Sequence, residues 1–122
     1  MVTLNYRDSK PIYEQIKDGF RKLILSDMLS TGEKLPSVRE LAPELAINPN
    51  TIQRAYRELE QEGFIYSIPG KGSFAAALSE VTDTRRDALF TAFDEAATEL
   101  LHLGVGEQEL NHRIHNLIEA QS

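Results

Sequence analysis

The chain contains no cysteine, which excludes disulfide scaffolds, thiol catalysis and zinc sites built on thiolates. It also lacks long apolar runs, since none approaches the roughly 20 residues that a transmembrane helix needs. The amino terminus shows no basic segment followed by an apolar one, the pattern typical of a secretory signal. We therefore expect a cytoplasmic protein with no membrane partner.

Positive charge is also scarce, because the formal net charge of the 122 residues is -6. That value argues against a nucleic-acid partner, since DNA binding requires Lys and Arg to neutralise phosphates. However, residues 1–78 carry 10 basic and 10 acidic side chains, whereas residues 79–122 carry 3 basic and 9 acidic ones. The negative excess therefore belongs to the tail, and the first segment is neutral.

Three helices are predicted in the first segment, and the first two are recognised by the following signals. Apolar residues recur every three or four positions from Pro11 to about Met28, as on one face of an amphipathic helix. Ser37 and Glu40 have the spacing of a capping box, in which each side chain satisfies the other's backbone N–H, and predict a second helix. This helix is expected to end at Leu45.

A helix-turn-helix and a wing follow from the next signals. Asn48 is a favourable N-cap and Pro49 suits the first position of a third helix, which Gly63 would end. Two short helices joined by a short turn form a helix-turn-helix. Strand-like runs at residues 64–68 and 73–77 flank a Pro-Gly-Lys-Gly turn, which predicts a hairpin, the wing.

The third helix has an apolar stripe and, opposite to it, a polar face suited to the major groove of DNA. Arg can bind guanine with two hydrogen bonds, and Asn or Gln can bind adenine in the same way. Acidic residues occur only in the C-terminal half of this helix, and the dipole of the other half favours phosphate. The polar face consists of Asn50, Gln53, Arg54, Arg57 and Gln61.

Contacts to bases and to phosphates are expected from different residues. Arg54 or Gln53 is predicted to read bases. Arg39, exposed on the second helix, is predicted to contact phosphate. Lys71 lies in the turn of the hairpin. Two interpretations of this residue stay open, a contact with phosphate and an ordinary solvated side chain.

The tail predicts two more helices separated by Gly-Val-Gly. The first, from about Thr84 to Leu103, has an apolar stripe wider than its shorter partner helix can cover, and a second copy of the chain would bury it. Two such helices are not expected to enclose the roughly 300 Å³ or more that drug-sized ligands usually occupy, so any effector would bind between subunits or between the tail and the winged domain. The residues assigned to dimerisation are Leu89, Phe90, Phe93, Ala97, Leu100 and Leu101.

The segment LPSVRELAPELAINPNTIQRAYRELEQEGFIYSIPGKGSF, residues 35–74, resembles the winged-helix domain of the GntR family. With KPIYEQI at residues 10–16, the resemblance covers roughly residues 7–76, and the short tail resembles the YtrA-like subfamily. It implies a dimeric, usually repressing regulator, often of neighbouring transporter genes. By position it implies DNA contacts at Arg39, Asn48, Asn50, Thr51, Gln53 and Gly70.

Two residues depart from the family pattern. Many members have Arg where this chain has Pro49, so one base or phosphate contact is expected to be absent. Pro43 lies inside the second helix, where it has no N–H for the carbonyl of Arg39 and tends to kink the backbone. Arg39 is therefore expected to point in a changed direction.

An enzyme is the first alternative. Glu99 and His102 form a Glu-x-x-His pair, but a di-iron bundle requires two such pairs and two further carboxylates. His112, His115 and Glu119 lie opposite the apolar stripe of the second tail helix and are expected to face solvent. No nucleophile with a base and no phosphate-binding glycine loop is recognisable, so we predict no enzyme, no metal and no cofactor.

A winged helix used for protein-protein contact, with the acidic tail as its surface, is the second alternative. It leaves the polar face of the third helix unexplained. The prediction is therefore a mainly α fold with a small β-hairpin, made of a winged helix-turn-helix domain (residues 1–78) and a two-helix dimerisation tail (79–122). Its partners would be double-stranded operator DNA and a second copy of the chain, and the sequence identifies no small-molecule effector.

Overall fold

The computed structural model describes residues 2–121, in two compact units that meet between Asp83 and Thr84. This division falls later than the boundary at residues 78 and 79 drawn from the sequence. The backbone N–H of Thr82 donates to the carbonyl of Glu62 at 3.0 Å, and Val81 packs against the core of the first unit. No helix among the described residues is both long and apolar enough to cross a membrane.

Three helices form the frame of the first unit: α1 (Ile12–Leu25), α2 (Val38–Leu45) and α3 (Pro49–Gln61). α1 ends before Met28, because the chain turns at Asp27, which has a φ of 61°. α2 runs through Pro43 to the predicted end at Leu45. The starts and ends of α2 and α3 thus follow the sequence signals closely.

The caps of α2 and α3 differ in how well the sequence predicts them. The Ser37 hydroxyl accepts a hydrogen bond from the Glu40 backbone N–H at 3.1 Å, as expected. The Glu40 carboxylate accepts from that same hydroxyl at 3.1 Å instead of from the Ser37 backbone, so only half of the capping box forms. At α3 the Asn48 side chain accepts from the Asn50 N–H at 2.8 Å, which confirms the predicted N-cap.

A single hydrophobic core joins the three helices to the wing. Phe20 of α1 and Tyr56 of α3 meet edge to face with their ring centres 5.5 Å apart. Complete burial of a large apolar side chain stabilises a fold by about 1.5–3 kcal/mol, so this core fixes α3 firmly on α1 and α2. Its most deeply buried large side chains are Ile16, Phe20, Leu35, Leu41, Ile52 and Leu59.

The wing consists of β1 (Ile65–Ile68) and β2 (Gly72–Ala75), an antiparallel pair in which Ile65 lies opposite Ala75. A third extended segment joins it, because Lys34 forms an antiparallel bridge with Phe74. No pattern in the sequence before Ser37 predicts this extended segment. The mainly α fold with a small hairpin is confirmed, with this extra segment added to the wing.

The second unit contains the two predicted tail helices, α4 (Asp83–His102) and α5 (Glu107–Ala120), and a short 3-10 turn at Leu78–Glu80 precedes α4. No residue of α4 or α5 is buried. The two helices line an apolar groove of about 520 Å³, open to solvent. This groove is not enclosed by one tail, so the expectation that a single tail encloses no ligand pocket stays a prediction.

Candidate nucleic-acid interface

The two faces of α3 have the environments that the helical wheel predicts. Ile52, Ala55 and Leu59 are completely buried. Asn50 and Gln53 are exposed, as is Arg57 one turn further along. A continuous strip of hydrogen-bonding side chains is therefore free on the surface of a helix whose other side is fixed in the core.

Tyr56 attaches α3 to the beginning of α2. Its hydroxyl donates to the carbonyl of Pro36 at 2.8 Å, while its ring contacts Phe20. Burial raises the pKa of Tyr56 far above its usual value, with a smaller contribution from Glu40. The hydroxyl therefore remains a donor at all physiological pH values, and the angle between the two helices is fixed by a neutral hydrogen bond.

A cluster of charged residues attaches α3 to α1. The Lys17 ammonium lies 2.7 Å from Oε1 of Glu58 and 2.8 Å from Oε2 of Glu62. Arg21 donates to the same Glu62 carboxylate at 3.0 Å and to Asp18 on its own helix. Both cations are buried, so the carboxylates of α3 compensate charges that would otherwise be costly to remove from water.

The ionisation of this cluster follows from its contacts. Burial pushes the pKa of Lys17 down, but the hydrogen bonds that Lys17 donates to Glu58 and Glu62 outweigh burial and leave the pKa above its ordinary value. The hydrogen bond from Lys17 lowers the pKa of Glu58, and burial opposes this only partly. The charges of α1 and α3 therefore stabilise one another throughout the neutral range.

Arg54 belongs to the predicted polar face, but its side chain is directed toward α1. Its Nε donates to Oε2 of Glu58 at 3.0 Å, and its guanidinium carbon lies 3.7 Å from the centre of the Tyr13 ring. The hydrogen bond with Glu58 raises the pKa of Arg54. Arg54 is thus held at the border between α1 and α3, in a cation-π contact that the sequence analysis missed.

Three of the residues predicted to contact phosphates or bases are cations without a carboxylate partner. Arg39, Arg57 and Lys71 are exposed, and within residues 2–121 none of them forms an ion pair. By contrast, Lys17 and Arg54 are already paired. Free cations are the ones that can neutralise phosphates without first breaking an internal contact.

The remaining residues predicted to contact DNA lie at the start of α3 and in the wing turn. Asn48 is exposed and caps α3, and Thr51 in the first turn is half-buried. Gly70 lies in the wing turn with a φ of 77°, and no other atom would come within 4 Å of a Cβ there. The wing turn is therefore open on the side where a nucleic-acid backbone could approach closely.

The histidines of the tail form no metal site in the described part of the chain. No group of three or more His, Asp or Glu side chains is placed to hold an ion there. His115 lies 3.6 Å from Glu119, and both side chains are exposed. This pair is an ordinary solvated contact of a helix surface.

The sequence matches the model of the bacterial regulatory proteins of the gntR family over residues 12–74, just over half of the chain. The chain belongs to the GntR family. Over 82 residues it is 44% identical to the HTH-type transcriptional repressor YtrA of Bacillus subtilis (strain 168), an alignment that covers 67% of this chain and 63% of YtrA. This similarity confirms the resemblance to the YtrA-like branch of the GntR family.

Two solved structures share this fold. The crystal structure of a transcriptional antiterminator from Listeria monocytogenes EGD-e has a TM-score of 0.82 and 33% identity, covering 98% of this chain and 90% of that one. The DNA-binding domain of AraR in complex with operator ORR3 has a TM-score of 0.54 and 28% identity, covering 61% and 89%. This GntR protein is therefore a transcriptional regulator with a winged DNA-binding domain, and not an enzyme.

Proposed function

We propose that this regulator is a homodimeric repressor whose two winged units bind the half-sites of a pseudo-palindromic operator. The exposed polar strip of α3 carries the proposal, since it offers Asn, Gln and Arg side chains on a helix fixed by its buried face. A helix presented in this way can enter the major groove, where those side chains distinguish base pairs. The DNA-binding domain of AraR, which has a similar fold, was solved in complex with an operator, and this supports DNA as the partner.

Base recognition is assigned to Gln53 together with Asn50 and Arg57. These three side chains are exposed, and Arg57 has no ion-pair partner within residues 2–121. Arg54 is assigned to a backbone phosphate, because Glu58 and Tyr13 hold its guanidinium at the edge of α3. Its two terminal nitrogens remain available to bind phosphate oxygens from that edge.

Further phosphate contacts are assigned to α2, to the start of α3 and to the wing turn. Arg39 on α2 and Lys71 in the wing turn supply charge. Asn48 and Thr51 lie at the start of α3, where backbone N–H groups and the helix dipole attract phosphate. Gly70 permits a close approach of the DNA backbone to the wing.

Dimerisation is assigned to the tail. Phe90 is 66% exposed and Phe93 is 53% exposed, which is unusual for aromatic side chains on a soluble monomer. A second copy would cover them and fill the groove that both tail helices line. If the recognition helices enter successive major grooves, they lie about 34 Å apart. The proposed contact residues are Leu89, Phe90, Phe93, Ala97, Leu100 and Leu101.

Selection of bound duplexes from a random DNA pool tests the proposal. We expect enriched sequences with two inverted half-sites, and sedimentation of the complex should give two chains per duplex. Enrichment of a single half-site would contradict the dimer. A pool with no enriched sequence would instead favour a winged helix that binds another protein through the acidic tail.

A further inference from the structure

The segment before α2 forms part of the wing, although it is about 40 residues away from it in sequence. The Gly32 N–H donates to the Ala75 carbonyl at 2.8 Å, and the Leu35 N–H donates to the Ser73 carbonyl at 2.8 Å. Lys34 lies between these bonds and bridges Phe74. The wing is therefore a three-stranded structure with Lys34 at the centre of its added segment.

Side chains alternate across this small sheet, because successive residues of an extended chain point to opposite faces. Leu35 is 1% exposed and points into the core. Lys34 consequently points to the outer face, which it shares with its bridge partner Phe74. There Phe74 stacks on Tyr66, with the ring centres 5.6 Å apart.

The Lys34 side chain extends along the wing toward its turn. A Cβ built on Gly72 would lie 2.8 Å from Cε of Lys34 and 3.6 Å from its Nζ. The aliphatic part of Lys34 thus lies on the bare backbone of Gly72, next to Lys71 in the sequence. Gly72 is suited to this place for two reasons, its φ of 126° and the room it gives to Lys34.

Lys34 and Lys71 are both exposed and free of ion pairs within residues 2–121. Because the Lys34 side chain runs along Gly72, both lysines lie at the same end of the wing, and an anion bound at this end would be attracted by both ammonium groups. The wing turn also has an open approach at Gly70. An oxygen-rich anion, such as a phosphate of the DNA backbone, fits this combination of charge and access.

We propose that Lys34 binds a backbone phosphate of the operator beside Lys71, so that the wing grips DNA with cations from two separate segments. This inference rests on the proposed function, because it assigns a further contact to the same interface. It predicts a contact without base preference, since an ammonium on a phosphate reads no sequence. Lys34 was missed in the sequence because its position depends on pairing with a distant strand.

The test compares Lys34→Met, which keeps the aliphatic stem, with Lys34→Arg, which keeps the charge. On duplexes obtained from the selection experiment, Lys34→Met should bind about two- to fivefold more weakly at moderate salt. Its plot of log affinity against log salt should become shallower by about one unit per bound subunit. Lys34→Arg should retain the affinity and the slope of the original protein.

Lys22→Met is the matched control, since Lys22 is exposed on α1 and unpaired within residues 2–121. An equal loss of affinity in Lys22→Met would show a general charge effect and overturn the inference. Unchanged affinity and slope in Lys34→Met would also overturn it, while the proposed function stands. If the original protein selects no duplex at all, the proposed function fails first.

Discussion

The guanidinium carbon of Arg54 lies 3.7 Å from the centre of the Tyr13 ring. The two residues come from different helices, and Glu58 one turn after Arg54 holds the same guanidinium at 3.0 Å. An arginine whose guanidinium is stacked on a ring on one face and bonded through its Nε cannot project freely into a groove. This geometry distinguishes Arg54 from its neighbour Gln53, which no such contact restrains.

The first prediction separates these two neighbours on α3. Gln53→Ala should relax preference at one position per half-site and cost about 1–3 kcal/mol of binding free energy on the preferred duplex. Arg54→Ala should weaken binding to all duplexes alike. Affinities for a set of duplexes with single base changes measure both effects. A changed base preference in Arg54→Ala with none in Gln53→Ala would reverse the assignment.

The second prediction concerns the tail. Phe93→Asp places a charge on the exposed apolar stripe and in the wall of the groove, so it should give monomers with a folded winged unit. These monomers should lose most of their affinity for a duplex with two half-sites. Thr98→Asp, on the acidic side of α4, is the control and should remain dimeric. Sedimentation that shows dimeric Phe93→Asp would refute this interface.

The third prediction is a pH dependence of stability. The hydrogen bond from Lys17 lowers the pKa of Glu58 in the folded protein below the ordinary value of 4.5. The stabilisation from Glu58 is therefore complete above that ordinary value and is lost as the pH falls through the lowered one. Glu58→Gln should remove this dependence and cost about 1 kcal/mol at neutral pH.

Glu60→Gln is the matched control for Glu58→Gln, because Glu60 is exposed on the same helix and forms no ion pair within residues 2–121. Urea unfolding at several pH values, from neutral pH to below the lowered pKa of Glu58, measures the effect. If the free energy of unfolding falls as steeply with decreasing pH in Glu58→Gln as in the original protein, the contact between Glu58 and Lys17 contributes nothing to the pH dependence.

The fourth prediction compares two glycines with nearly the same backbone angle. Gly63 has a φ of 86° and a Cβ there would meet the Glu80 carbonyl oxygen at 1.9 Å, whereas Gly32 has a φ of 85° and open space. Both Ala variants carry the cost of a left-handed conformation, about 1–2 kcal/mol. Gly63→Ala should lose about 1–3 kcal/mol more in thermal unfolding. Equal losses would show that residues 80–82 yield to the new methyl group.

Local signals predicted the helix-turn-helix well. Asn48 and Pro49 define the start of α3 through their own backbone chemistry, and the spacing from Ile52 to Leu59 defines its buried side. Glu58 is also within one helical turn of Arg54, so that ion pair is readable from the sequence. These features need only neighbours on the same helix.

Contacts between distant segments were not readable. Lys17 and Glu58 are 41 residues apart, and no spacing rule brings them together before α1 packs on α3. Lys34 belongs to the wing only because residues 32–35 pair with β2. In the tail, periodicity predicted the two apolar stripes, but the width of the groove depends on how far apart the two helix backbones lie.

Neither α4 nor α5 contains a buried residue, so a single tail has little apolar burial to offset the entropy of an ordered chain. In the proposed dimer the second copy buries these apolar side chains. By mass action, the fraction of tails that are folded then depends on the protein concentration. A dilute regulator would expose its tails to proteases while its winged units stay intact. Cellular abundance would thus set the lifetime of the protein as well as the occupancy of its operator.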